Sequence, residues 1–258
     1  MGRIIAITNQ KGGTGKTTTA INLTACLAAG RKQTLLIDLD PQANATSGIG
    51  INPKELRRSV YHLLVEQTPW EQILRHTSLK HLDLIPSNIE LSGAEIELVS
   101  MPRREKRLKE ALMPLQDLYE YIIIDSPPSL GLLTLNALVA ASAVLIPLQC
   151  EYYALEGLGH LMATIHLVKK NLNPDIAVEG IVLTMHDRRT TLSTQVIQEV
   201  VSHFKDKVFK TIIPRNVRLS EAPSHGKPII FYDIHSPGAQ AYISLAKELV
   251  RNAKKRIG

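Results

Sequence analysis

Residues 3–29 read RIIAITNQKGGTGKTTTAINLTACLAA. Arg3–Thr8 is a short apolar run of strand type, Lys16–Ala29 is an apolar helix, and a glycine-rich turn joins them. Glycines let successive backbone N–H groups converge on an oxyanion without Cβ clashes. A helix N-terminus behind them adds unpaired donors and a favourable dipole. Gly12, Gly13, Thr14, Gly15, Lys16, Thr17 and Thr18 are therefore expected to cradle the phosphates of a nucleotide. In that arrangement Lys16 reaches the β- and γ-phosphates and the Thr17 hydroxyl ligates Mg²⁺.

The same alternation continues outward from this stretch. Strand-like runs fall at Thr34–Leu39, Leu82–Pro86, Tyr121–Asp125, Ala143–Leu148, Ala177–Met185 and Val208–Ile213. Helical patterns lie near 90–97, 103–116, 131–141, 155–171, 192–203 and 239–256. Runs apolar on both faces, separated by helices, predict an α/β fold: a mostly parallel, doubly wound sheet with helices on both faces. No repeat or long linker interrupts the pattern, so residues 1–258 are expected to form a single domain. Ligands of such sheets gather at the carboxyl ends of the strands. That points to Asp38, Asp40, Asp125 and the polar stretch from Thr184 to Arg189.

The loop departs from the general spacing G-x-x-x-x-G-K-[ST]. Counting back from Gly15 puts Gln10 where the first glycine belongs, with an additional lysine, Lys11, beside it. Lys16 already supplies the inner charge, so Lys11 is expected to act in trans on the nucleotide of a facing copy, as an arginine finger does. Asp38 and Asp40 share one side of their strand, where a carboxylate can orient water for in-line attack or hold metal-bound water. Asp125 ends an apolar strand and is expected to hold Mg²⁺ through water, beside Thr17. Asn216 carries the donor and acceptor that read an adenine edge, Pro214 offers a flat apolar surface, and Met185 is a candidate for the other face of the base.

Composition narrows the partners. With 44% hydrophobic and 21% charged residues the chain is of soluble globular type, which excludes a disordered or fibrous protein. The net charge of +6 is concentrated near the end, where residues 201–258 hold 11 basic and 4 acidic side chains. Arg188, Arg189, Lys205, Lys207, Lys210, Arg215, Arg218 and Lys227, followed by Lys247 and Arg251 on the last helix, suggest a surface for the phosphate backbone of duplex DNA, read without base specificity. Cys26 and Cys150 form no CxxC pair, as in a reduced cytoplasmic protein, and MGRIIAITNQ lacks the apolar core of a signal peptide.

KGGTGKTT, LLIDLDPQANATSGIG, IIIDSPPSLGLLTLNAL, QCEYYALEGL and IPRNVRLSEAPSHGKPI together resemble the chromosomal ParA (Soj) partition ATPases. These belong to the ParA/MinD group of P-loop NTPases with a deviant Walker A motif. The resemblance spans about residues 2–250, with Thr14 standing where valine is usual. It implies ATP and Mg²⁺ as cofactors and catalytic roles for Lys11, Lys16 and Asp40, the last positioning water. Asp38 would support it, with Asn44 and Thr46 on a nucleotide-sensitive loop. It further implies that Pro214 and Asn216 line the adenine and that Arg189 and Arg218 bind DNA, with Arg188, Lys205, Lys207, Lys227 and Lys247 as further contacts. An ATP-state homodimer, non-specific double-stranded DNA and a ParB-type centromere-binding protein that stimulates hydrolysis are the implied partners, in a cytoplasmic, nucleoid-associated protein without membrane binding. The alternative is a MinD-like membrane-associated positioning ATPase, whose last helix would anchor through its apolar face at Tyr242, Leu245 and Leu249. A metabolic P-loop ligase is the other class to separate from it.

Overall fold

In β1 (Arg3–Ile7), Ile5 and Ile7 face one helical layer while Ile4 and Ala6 face the other. The alternation repeats in β2 (Thr34–Asp38), with Leu36 opposed to Leu35 and Ile37. A strand between two helical layers must be apolar on both sides, and β-branched residues suit its pleat. β3 (Arg75–His76), β4 (Leu82–Ile85), β5 (Tyr121–Asp125), β6 (Ala143–Gln149) and β7 (Ala177–Thr184) complete a seven-stranded sheet in the order β3-β4-β2-β5-β1-β6-β7. It is parallel except for the antiparallel β3–β4 edge. The computed structural model describes residues 2–151, 154–187 and 189–257.

The helices are α1 (Lys16–Ala29), α2 (Asn44–Gly48), α3 (Leu91–Glu97), α4 (Arg107–Leu112), α5 (Leu132–Ala140), α6 (Ala154–Asn171), α7 (Thr191–Phe204), α8 (Val217–Glu221), α9 (Ile229–Tyr232) and α10 (Pro237–Ile257). α1 and the apolar side of α10 cover one face of the sheet, and α3, α4 and α5 cover the other. α6 and α7 pack on β6 and β7. Tyr242, Leu245 and Leu249 are buried in the first of these layers, and a 3.1 Å hydrogen bond joins the Thr19 hydroxyl to the Tyr242 phenol. Tyr242, Leu245 and Leu249 of α10 thus face the core beside α1, while Ile243 and Val250 are only partly covered. Among the described residues no helix is long and apolar enough to cross a membrane.

Val208–Ile213 does not form the expected strand. Single parallel bridges tie Val208 to Ile181 and Pro214 to His186, but no ladder develops. The Glu248 carboxylate accepts the backbone N–H groups of Lys210 and Thr211, at 2.8 and 3.0 Å, and the Thr211 hydroxyl at 2.7 Å. Phe209 and Ile213 donate to the β7 carbonyls of Ile181 and Leu183, but the side chain from α10 takes the two donors between them and interrupts the pairing. The segment lies close against β7 because residue 180 is glycine; a Cβ there would meet the Phe209 ring at 2.6 Å. The helix expected over 103–116 is also shorter, running from Arg107 to Leu112 and tightening into a 3₁₀ turn around Pro114.

Candidate nucleotide-binding site

Between β1 and α1 the backbone takes left-handed conformations at Gly13 (φ 73°) and Gly15 (φ 86°), which side chains larger than hydrogen disfavour. Three strand ends hold the loop in place. The Asn9 amide donates to Pro147 O at 2.8 Å and its oxygen accepts the Lys11 N–H at 3.1 Å. The Thr184 hydroxyl, at the end of β7, donates to Thr14 O at 2.9 Å. The loop is therefore shaped before any ligand enters.

Lys16 opens α1 and is buried, with its Nζ donating to Lys11 O at 3.2 Å. Burial lowers its pKa, while the charges of Asp125 and Asp40 act in the opposite sense. Asp38 and Asp125 are register partners at the carboxyl ends of adjacent parallel strands, and both are completely buried. Burial pushes the Asp38 carboxyl up to about 6, against the opposing pull of its hydrogen bonds from Thr46 and Asp40. Asp125 is raised well above the ordinary carboxylate range, by burial first and then by the charge of Asp38; the Thr17 hydroxyl and Lys16 offset part of this. Neither carboxylate oxygen of Asp125 has a well-formed hydrogen bond. A fully buried carboxylate with so little compensation is costly, and a divalent cation held beside it and the Thr17 hydroxyl is the natural complement.

Asp38 is the hub of the other carboxylates. Its Oδ1 accepts the Asp40 N–H at 3.2 Å, and its Oδ2 accepts both the N–H and the hydroxyl of Thr46 at 2.7 Å. Thr46 Oγ1 in turn accepts the Ser87 N–H at 3.0 Å. Asp38 thus ties α2 and the end of β4 to the turn that presents Asp40. Asp40 Oδ1 accepts the Gln42 N–H at 2.9 Å, and no described residue donates to its Oδ2.

A cavity of about 570 Å³ extends from Gly15, Thr17 and Thr18 to Pro214 and Asn216. Asn44, Thr184 and Met185 also line it, whereas Thr46 is buried beneath it on Asp38. The Asn216 side-chain oxygen is buried without a partner, an acceptor left open toward an amine. Met185 is held at φ 54°, an uncommon conformation for a non-glycine residue. The supporting role expected of Asp38 takes the form of this anchor, while Thr184 as loop clamp is legible in the sequence only as a polar strand end. Nothing in the spacing pointed to Glu151, whose Oε2 pairs with Lys11 Nζ at 2.7 Å. In the single chain the lysine expected to act in trans is thus engaged in cis.

The basic residues are carried by several elements. Arg189 lies just beyond the end of β7, 86% exposed, and its guanidinium pairs with Asp187 through two hydrogen bonds of 2.9 and 2.7 Å. Arg218 on α8 is 2.9 Å from Glu221 and 3.6 Å from Asp233. Lys205 and Lys207 follow the far end of α7, Lys227 lies between α8 and α9, and all three are exposed. Lys247 and Arg251 stand beside the C-terminal end of α1, at the opposite end of that helix from the phosphate loop. Arg188 lies outside the described residues.

Fold and site define a phosphate-loop nucleotide hydrolase. A family model described as an AAA domain matches residues 2–178. The chain is 60% identical over 252 residues to the sporulation initiation inhibitor protein Soj of Bacillus subtilis, covering 98% of this chain and 100% of that protein. It is 57% identical to the chromosome partitioning protein ParA of Myxococcus xanthus, over 97% of this chain and 89% of that one. Among solved structures, cobyrinic acid a,c-diamide synthase of Mycobacterium smegmatis with bound ADP and magnesium superposes with a TM-score of 0.86 at 38% identity, over 98% of this chain and 96% of the other. The chain belongs to the ParA/Soj family of chromosome-partitioning ATPases. It is an ATPase with a role in partitioning.

Proposed function

We propose that this ATPase is a partition switch in which MgATP closes a sandwich homodimer, the dimer binds duplex DNA without sequence preference, and slow hydrolysis releases it. ATP and Mg²⁺ are its cofactors. The observation that carries the reading is the buried Asp125 carboxylate, without a well-formed hydrogen bond, beside Thr17 and Lys16 on a phosphate loop. Thr17 would hold Mg²⁺ directly and Asp125 through water, and the ion would neutralise charge on the phosphates. Lys16 and the loop N–H groups bind the phosphate oxygens, and Pro214 and Asn216 receive the adenine. Asp40, anchored through Asp38, orients the attacking water with its open Oδ2.

Lys11 exchanges Glu151 for the nucleotide of the facing copy. Both side chains of that pair are nearly half exposed, and pairs of this kind contribute about 0–1 kcal/mol, so little opposes the exchange. Arg189 and Arg218 would exchange acidic partners for DNA phosphates in the same way. Two copies double the counterion release, so affinity should rise steeply on dimerisation. A ParB-type DNA-bound partner stimulates hydrolysis, and the protein is cytoplasmic and nucleoid-associated. Packing of the apolar side of α10 on α1 favours this over the membrane-anchored alternative.

Size exclusion and a gel shift with plain duplex, run with ATP, with ADP and without nucleotide, test the reading. A dimer and a shift are expected with ATP alone. Equal DNA binding in all three states would overturn it.

A further inference from the structure

The C-terminal end of α1, α9 and the middle of α10 enclose a groove of about 660 Å³ that the nucleotide reading does not use. Cys26, Leu27, Ile230, Ile243, Ala246 and Val250 form its walls. Phe231 and Ile234 stand at its mouth, each 49% exposed. The charged residues that line it are all cations: Lys32, Lys247 and Arg251. Lys32 is paired with Glu120 at 2.7 Å, while Lys247 and Arg251 have no acidic partner among the described residues. α1 has 14 residues and rises about 1.5 Å per residue, so the groove lies some 20 Å from the phosphate loop.

We infer that this groove docks an amphipathic helix of another protein, with apolar side chains in the groove and Asp or Glu flanking them against Lys247 and Arg251. Three features select this occupant. An apolar trough between helices accepts side chains at helical spacing. Unpaired cations on its rim call for carboxylates and disfavour a basic segment. A DNA backbone offers nothing to fill an apolar trough, and a bilayer is met by a convex apolar edge rather than a recess. Lys247 and Arg251 therefore serve a protein partner, which divides the basic set by function as the fold divides it in space.

The test uses the full chain with MgATP and two fluorescent 18-residue helical peptides that share one Leu/Phe stripe, flanked by Glu in one and by Lys in the other. By anisotropy, the Glu peptide should bind at least tenfold more tightly. Phe231→Ser with Ile234→Ser should weaken it tenfold or more at unchanged ATP hydrolysis, and Arg251→Glu should erase the preference between peptides. Hydrogen exchange should show protection confined to 26–32, 229–234 and 243–251. Equal or undetectable binding of the two peptides overturns the proposal, and so does affinity that survives the double substitution. Competition by phosphatidylglycerol vesicles would assign the groove to lipid, and a loss of self-association in the double variant would assign it to a second copy; either result also overturns it. Both half-exposed residues can be replaced without opening the core.

Discussion

The two ends of the charge inventory are built on opposite principles. Around the phosphate loop, Lys16, Asp38 and Asp125 are buried, and Asp125 has no well-formed hydrogen bond. The arginines proposed to meet DNA are instead in water: Arg189 and Arg218 are 86% and 54% exposed, and each already has an acidic neighbour. A buried carboxylate must be neutralised, by a proton in the free protein or by a cation when ligand is bound, whereas an exposed pair is readily exchanged. The first region is pre-formed for one ligand; the second, on the proposed reading, gains affinity when two copies present it together. Removing a charge should therefore be drastic at the loop and graded on the surface.

The largest effect belongs to Lys16→Ala. Nucleotide-driven dimerisation should vanish and hydrolysis should fall by about 10²–10³, the usual scale for losing a phosphate-directed charge. Nucleotide titration with light scattering checks this, and a variant that still dimerises with ATP would break the contrast at its strongest point. Asp40→Ala should come next. It is expected to trap an ATP dimer that still shifts DNA, with turnover reduced by roughly 10²-fold. Normal turnover there would free Asp40 of its role.

Asp38→Asn tests burial itself. An amide nitrogen placed where Oδ2 now accepts two donors from Thr46 would face them unpaired, at about 1–3 kcal/mol of stability, measurable by urea unfolding. The pH dependence follows from the raised carboxyl. With a folded value of about 6 against 3.8 for the free group, Asp38 retains a proton between roughly pH 4 and 6 that the unfolded chain has lost. Stability of the ligand-free protein should therefore decline as pH rises through that window, with Asp125 acting in the same direction. Mg²⁺ requires Asp125 ionised, so the gain in melting temperature on adding MgATP should be larger at pH 7.5 than at pH 5. A gain independent of pH would remove Asp125 from the metal site.

The smallest effects lie on the surface. Arg189→Glu or Arg218→Glu should weaken DNA binding while leaving hydrolysis intact, and should lower the slope of log affinity against log salt by about one for each DNA phosphate no longer neutralised. Asp187→Ala, which frees Arg189, should strengthen DNA binding in the same gel shift. If Asp187→Ala weakens it, the Asp187–Arg189 pair is itself the binding element and the contrast needs redrawing.

The phosphate loop was legible because its chemistry is local: glycines, a lysine and a hydroxyl within a few positions, flanked by a strand and a helix. The central strands were legible because Ile and Leu runs are buried on both faces. Val208–Ile213 looked equally strand-like, and Phe209 and Ile213 do donate to β7 carbonyls, but the N–H groups of Thr211 and Lys210 went to Glu248, 37 and 38 positions away. β3, α2, α8 and α9 are too short to carry a period. Strand alternation alone puts Asp38 and Asp40 on one side and only the family resemblance divides their roles; the Thr46–Ser87 relay supplies the physical reason for Asp38 as anchor.

What residue order alone determined is the sheet, the loop and the identity of the charged groups near it, since periodicity and turn chemistry act between near neighbours. The tertiary structure decided which charges are buried and which are shared. It set Asp38 alongside Asp125, gave Lys11 a partner in Glu151, and sent Lys247 and Arg251 to the far end of α1. Solvation and pairing depend on what packs against a group from distant parts of the chain, and no local pattern carries that information.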